Sequence, residues 1–208
     1  ISNQFTRRNM KLDLITNKDF SNNERNENDE FYTPNYAIEP IIEYIKKNSI
    51  VWCPFDLECS NYVKILKQKG FNVICSHLEN GQDFFNYEPN INYDYIISNP
   101  PYSLKYEVFE RLFKLEKPFA MLVGVVGLFE SKKRFNLFKN NNFEIMYFDK
   151  RISYFKDYKD QVCKLNPPFS SVYITCKILP NKIMFKNVRK LKNTNQSKLE
   201  LWNVHNAA

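Results

Sequence analysis

The sequence predicts an α/β fold: one open, mostly parallel sheet of seven strands with helices packed on both faces. Two patterns lead there. From Phe31 onward, short apolar runs of strand length alternate with amphipathic stretches of helical period. The stretches between them carry residues that start and stop helices, such as Ser60 before one helical run and Gly70 after it. A third observation sets the scale. With 208 residues, 43% of them hydrophobic and 16% aromatic, the chain has material for one well-buried domain of ordinary size.

The elements run in order along the chain. Residues 1–30 are polar and read as a flexible lead-in, because Ser21 to Glu30 is a run of Asn, Glu, Arg and Asp. Pro34 opens a helix whose apolar positions Ala37, Ile38, Ile41, Ile42 and Ile45 recur at helical spacing. Ile50 to Cys53 is the first strand. A helix capped by Ser60 comes next, with Tyr62, Val63, Ile65 and Leu66 on its apolar side. Val73 to Cys75 is the second strand and Asp83 to Phe85 a very short third. Tyr93 to Ser98 is the fourth, closed by Asn99-Pro100-Pro101. Val108 to Leu115 is helical, Phe119 to Val126 is a strong fifth strand, and Lys132 to Lys139 is helical again. Glu144 to Phe148 and Ser171 to Ile178 are the sixth and seventh strands. The domain thus spans residues 31–178, with a basic tail over 179–208.

Composition narrows the function classes. Five scattered cysteines without a Cys-x-x-Cys pair argue against a disulfide framework and against a zinc site, and no metal is expected. A reducing cytoplasm fits them best. No apolar run approaches the length of a membrane span, and Ile1 to Lys11 has no apolar signal core. The net charge of +7 is concentrated at the end of the chain. Lys177, Lys182, Lys186, Arg189, Lys190, Lys192 and Lys198 stand there against Glu200 alone. A polyanion suits such a segment, since neutralising phosphates releases counterions. A solvated, Lys-rich tail is the plain alternative.

On an open α/β sheet, ligands bind beyond the carboxyl ends of the strands. The loop after the fourth strand is therefore informative: Ser98-Asn99-Pro100-Pro101-Tyr102. Two consecutive prolines fix φ and stiffen the loop. The Asn99 side-chain oxygen and the Pro100 carbonyl can together accept the two hydrogens of an exocyclic amine. Tyr102 offers a flat face for a base, a contact worth about 1–3 kcal/mol.

The run from Asp94 to Tyr102, DYIISNPPY, resembles the catalytic motif of amino-methyltransferases that use S-adenosylmethionine. It is most similar to that of small phage- and prophage-type DNA adenine-N6 methyltransferases. The resemblance implies a Rossmann-like sheet of the class I methyltransferase type in a bacterial or phage-infected cell. It also implies S-adenosylmethionine as cofactor and catalytic roles for Asn99, Pro100, Pro101 and Tyr102. Further segments match in the expected order. Phe31-Tyr32-Thr33-Pro34 resembles the N-terminal cofactor motif, which assigns Tyr32, Thr33 and Pro34 to the methionine end. Asp83-Phe84 resembles the pair that holds the cofactor adenine. Arg151 to Phe155 and Pro167 to Ser171 resemble the region that supplies an aromatic ring to the flipped base, with Phe155 and Phe169 as candidates. Lys132 and Lys133 would hold phosphates.

The first cofactor loop departs from the pattern. Pro54 and Phe55 match, but Cys53 to Ser60 contains no glycine, and Asp56 or Glu58 is expected to reach the methionine ammonium instead. After the second strand Ser76-His77 stands where an acidic residue usually meets the ribose. Fewer than sixty residues come after Lys150, which leaves little room for a recognition domain. Either specificity is low, or a partner subunit supplies it, or the polar N-terminus contributes. The expected activity is methyl transfer to N6 of adenine in DNA, with no membrane partner. The same loop serves RNA bases and glutamine side chains. A degenerate, non-catalytic nucleic-acid- or partner-binding protein, such as a phage counter-defence factor, is the alternative from another class.

Overall fold

Two segments, Phe119–Gly124 and Ser171–Cys176, are buried at every position, as strands covered on both faces must be. They lie side by side at the centre of the molecule. The computed structural model describes residues 31–155 and 163–189. Its strands are β1 (Ile50–Cys53), β2 (Asn72–Cys75), β3 (Tyr95–Ser98), β4 (Phe119–Gly124), β5 (Glu144–Phe148), β6 (Tyr154–Phe155), β7 (Cys163–Leu165), β8 (Ser171–Cys176) and β9 (Ile183–Lys186). Its helices are α1 (Asn35–Ile42), α2 (Asn61–Gln68), α3 (Lys105–Leu115) and α4 (Lys132–Lys139).

Seven strands form one sheet in the order β2-β1-β3-β4-β8-β5-β9. Only β8 runs against its neighbours β4 and β5; the other pairs are parallel. Side chains alternate between the two faces. Val51, Ile97, Leu122, Met146 and Tyr173 pack with Ile38 and Ile41 of α1 and with Tyr62 and Leu66 of α2. Trp52, Ile96, Met121, Val123 and Ile174 pack with Phe109 and Leu112 of α3 and Phe138 of α4. This is the α/β architecture expected from the sequence, with seven strands and helices on both faces.

The strand membership differs in two places. Asp83 to Phe85 is a turn rather than a third strand. The Asp83 carbonyl accepts from Asn86 and Tyr87, and its carboxylate accepts from the Phe85 amide at 3.1 Å, so the backbone is spent on local bonds. The seventh strand is instead β9, in the segment read from sequence as basic tail. Ile145 to Phe148 pair with Ile183 to Lys186 in parallel. Several ends also shift, such as the fourth predicted strand, which starts at Tyr95. The fifth predicted strand stops at Gly124, after which Gly127 turns with φ 73°. The last predicted strand stops at Cys176, because Lys177 takes φ 58°.

The topology sets where a ligand can sit. From β1 the chain passes through α2 to β2 on one side, while β3 lies on the other side of β1. The strand order therefore reverses between β1 and β3. The loops that leave these two strands flank the switch point, where open α/β sheets bind their ligands. Those loops are Pro54 to Ser60 and Asn99 to Leu104. The Ser60 hydroxyl accepts from the Val63 amide at 3.3 Å and starts α2.

Candidate active site

β3 is apolar until Ser98, whose buried hydroxyl donates to the Asp56 carboxylate in the loop after β1. That bond joins the two loops across the switch point. Asp56 is almost fully buried, and Ser60 also donates to it. Burial pushes the Asp56 carboxyl up to about 6, although the two hydroxyl donors pull it down. The carboxylate thus turns inward to Ser98 and Ser60. Glu58 is also engaged within the protein, held by Lys67 at 2.6 Å and by the Cys75 thiol at 3.3 Å.

Asn99 comes directly after Ser98 and is oriented by its amide. Its Nδ2 donates to the Phe31 carbonyl at 2.7 Å. Its Oδ1 is buried and has no partner. Native proteins rarely leave a buried acceptor unpaired, so such an atom calls for an explanation. Among the described residues only Thr33 Oγ1 and Arg111 Nε share that condition. Thr33 stands next to Tyr32, whose backbone pairs with Phe155 at 3.3 and 3.0 Å. Its carbonyl accepts from Asn61 of α2 at 2.9 Å, and Pro34 leads into α1. The segment from Phe31 to Pro34 is thereby drawn over the same edge of the sheet as the Asn99 loop.

Pro101 leads into a short 3-10 turn over Tyr102–Leu104. The Tyr102 hydroxyl donates to Tyr154 at 2.8 Å, which donates to Ser171 of β8 at 2.7 Å. Burial pushes the Tyr154 phenol up to about 12, so it stays protonated and able to donate. Around Tyr102 the rings gather. Phe31 stacks on it with centroids 5.1 Å apart and planes 19° apart, and Phe169 meets it edge-on at 5.5 Å. Lys105 sits over the ring at 5.4 Å while donating to the carbonyls of Gly124 and Val126.

Phe55 and Phe84 pack at 4.8 Å beside Trp52, which brings the Asp83 turn next to the loop after β1. Arg111 of α3 clamps that turn through the carbonyls of Phe85 and Tyr87, at 2.8 and 3.1 Å. Asp83 itself bonds the Phe85 amide and Asn86. His77 accepts from the Glu79 amide at 3.2 Å. Lys132 and Lys133 lie exposed in the first turn of α4, which leaves the same sheet edge after β4, and Lys133 covers the Tyr106 ring at 5.9 Å.

Of the two predicted base-facing rings, Phe169 joins the cluster at Tyr102, and Phe155 is buried in β6. Sequence reasoning missed Phe31, Tyr154 and Arg111 as parts of this edge. Phe31 and Tyr154 lay within the matched segments Phe31 to Pro34 and Arg151 to Phe155 without being singled out, and Arg111 had no signal. Lys190, Lys192 and Lys198 lie outside the described residues. Among the described residues no cluster of His, Cys, Asp and Glu is set to hold a metal, and no helix is long and apolar enough to cross a membrane.

No protein-family model and no curated protein matches the chain. Solved structures give weak likenesses. One is the methyltransferase subunit of a type I restriction-modification system from Streptococcus thermophilus, with 13% identity and a TM-score of 0.47 over 85% of this chain and 53% of that one. Another is a modification subunit assigned to a type I restriction enzyme of Vibrio vulnificus YJ016, with 10% identity and a TM-score of 0.47 over 87% of this chain and 54% of that one. The chain spans about half the length of either structure.

Proposed function

We propose that the protein is a methyltransferase that uses S-adenosylmethionine and acts on the N6 amine of adenine in DNA. One observation carries the reading. Asn99 Oδ1 is a buried acceptor without a partner, on a proline-stiffened loop at the switch point, beside a cluster of aromatic rings. An amine that brings two hydrogens and a flat ring meets both needs at once.

The residues present fit the cofactor in part. Thr33 Oγ1 is a second buried polar atom awaiting a partner, and Phe55 with Phe84 offers an apolar seat for an adenine beside Asp83. Tyr32, Thr33 and Pro34 on one side, and Pro54, Phe55, Asp83 and Phe84 on the other, would hold it, while the Asp56 carboxylate is spent on Ser98 and Ser60. When bound, S-adenosylmethionine supplies an electrophilic methyl group and leaves as a neutral thioether. The protein's own contribution is positioning. Asn99 Oδ1 and the Pro100 carbonyl accept the two amine hydrogens and aim the nitrogen lone pair. These bonds strengthen as the nitrogen gains positive charge, so they favour the transition state over the ground state. The excess proton then leaves to solvent. Tyr102 stacks on the extruded base, which repays part of the few kcal/mol that flipping costs. Lys132 and Lys133 contact phosphates, and sequence specificity comes from the lead-in or from a partner subunit.

A second reading, a non-catalytic nucleic-acid-binding protein, is favoured by one observation. Both carboxylates of the loop after β1 already have partners within the chain, Asp56 buried against Ser98 and Glu58 at the surface with Lys67. Calorimetry with S-adenosylmethionine separates the two. Saturable heat that Thr33→Val weakens supports the enzyme; no heat at millimolar ligand supports the binding protein.

A further inference from the structure

The ring that covers Tyr102 belongs to Phe31, a residue outside the catalytic loop. Phe31 touches that loop twice. Its carbonyl accepts from Asn99 at 2.7 Å, and its ring lies nearly parallel to Tyr102 with centroids 5.1 Å apart. The stacking face that a target base needs is thus occupied by a side chain of similar shape.

The other rings of the cluster are held by more than ring contacts. Tyr102 and Tyr154 are fixed by the hydroxyl chain that ends at Ser171. Phe169 lies against Gly124, where a β-carbon would stand 2.8 Å from the ring. The backbone beside Phe31 is pinned through the pairing of Tyr32 with Phe155. Its phenyl group has no polar atom to anchor it and is partly exposed. Of the stacked pair, the Phe31 ring is the one held by ring contacts alone, to Tyr102, Tyr154 and Phe169.

We propose that Phe31 is a substrate-positioning residue, the second wall of a slot in which a flat purine base is held between Phe31 and Tyr102. In the free protein the two walls close on each other, which keeps water from both apolar faces. On entry of a base the Phe31 ring swings out and re-stacks on the far side of the base. Asn99 is bonded to the carbonyl of the Phe31 wall, so a base gripped in the slot would have the unpaired Oδ1 close to its edge. This inference rests on the methyltransferase reading for the identity of the reacting base, and on the aromatic geometry alone for the slot.

The probe is a single-stranded oligodeoxyadenylate, which needs no flipping and no recognition sequence. Phe31→Trp places an indole in the wall, and the oligonucleotide should quench its added emission saturably relative to wild type. In methyl-transfer assays with labelled S-adenosylmethionine, Phe31→Ala should raise KM for the oligonucleotide roughly ten- to hundred-fold, the loss of one stacking face, with kcat changed far less. Phe31→Tyr should behave as wild type, and thermal unfolding checks that each variant is folded. Unchanged or improved kcat/KM in Phe31→Ala overturns the proposal, since the ring is then packing or a plug. An indole that saturating oligonucleotide leaves unquenched overturns it as well. Saturable quenching without methyl transfer by any variant keeps the slot and removes the transfer reading instead.

Discussion

Replacing Asp56 by Asn should change how stability depends on pH, and the burial of this carboxyl sets the size of the change. In the folded protein Asp56 titrates at about 6, against an ordinary 3.8, because burial disfavours its charged form. The shift is upward, so the folded state holds the proton more tightly than the unfolded state. Below pH 3.8 both states are protonated and the protein has the full benefit of a neutral carboxyl. As pH rises from about 4 to about 6 the unfolded state ionises first and stability falls. Above about 6 both are ionised and the loss is complete. A shift of about two units at 1.36 kcal/mol each gives a loss of ~3 kcal/mol. Asn mimics the neutral form and can still accept from Ser98. The stability difference between Asp56→Asn and wild type should therefore move by ~3 kcal/mol in favour of the variant between about pH 4 and pH 7. Urea unfolding of both proteins across that range measures it, because titrations common to both cancel. A difference that is flat with pH, or that moves in favour of wild type, would refute the argument that Asp56 is a desolvated carboxyl tied to Ser98.

Tyr102→Phe should retain most methyl-transfer activity, because stacking survives, while losing about 1 kcal/mol of stability with the bond to Tyr154. Tyr102→Ala should lose most of the activity through weaker capture of the base. Asp83→Ala should weaken S-adenosylmethionine binding by about 1–3 kcal/mol in calorimetry if its carboxylate receives the cofactor adenine. Asn86→Ala removes a turn bond to the same carboxylate and leaves the charge, so equal losses in both variants would assign Asp83 to holding the turn alone.

The parts legible in the sequence were those fixed locally. The apolar runs of β4 and β8 and the serine cap of α2 depend on near neighbours; the cap falls where the pattern placed it, and both strands start there but end two residues early. The stop after β3 is likewise written in Asn99-Pro100-Pro101. The third strand was misread because three residues are too few to show a period, and Asp83 prefers to close a turn on its own carbonyl and carboxylate. β9 was hidden for the opposite reason. Lys182 and Lys186 flank Ile183, Met184 and Phe185, so charge masked a short edge strand whose Ile183 and Phe185 stay exposed. At the site, the direction of Asp56 was not readable. Its partner Ser98 lies 42 residues away and becomes adjacent only through the order of β1 and β3. The stacking of Phe31 on Tyr102 was not readable for a like reason, since the two residues are far apart along the chain.

In the proposed reaction the free oxygen of Asn99 accepts from the amine that becomes methylated. The most direct measurement is transfer of labelled methyl groups from S-adenosylmethionine to unmethylated DNA by wild type and by Asn99→Ala, with nucleoside analysis of the product. Wild type should yield N6-methyladenine. Asn99→Ala should lose transfer by at least a hundred-fold, about 2.7 kcal/mol or more of transition-state stabilisation, with cofactor and DNA binding nearly intact. Equal transfer by the two proteins would contradict the assignment of Asn99, and label found only in RNA or protein would contradict the choice of DNA.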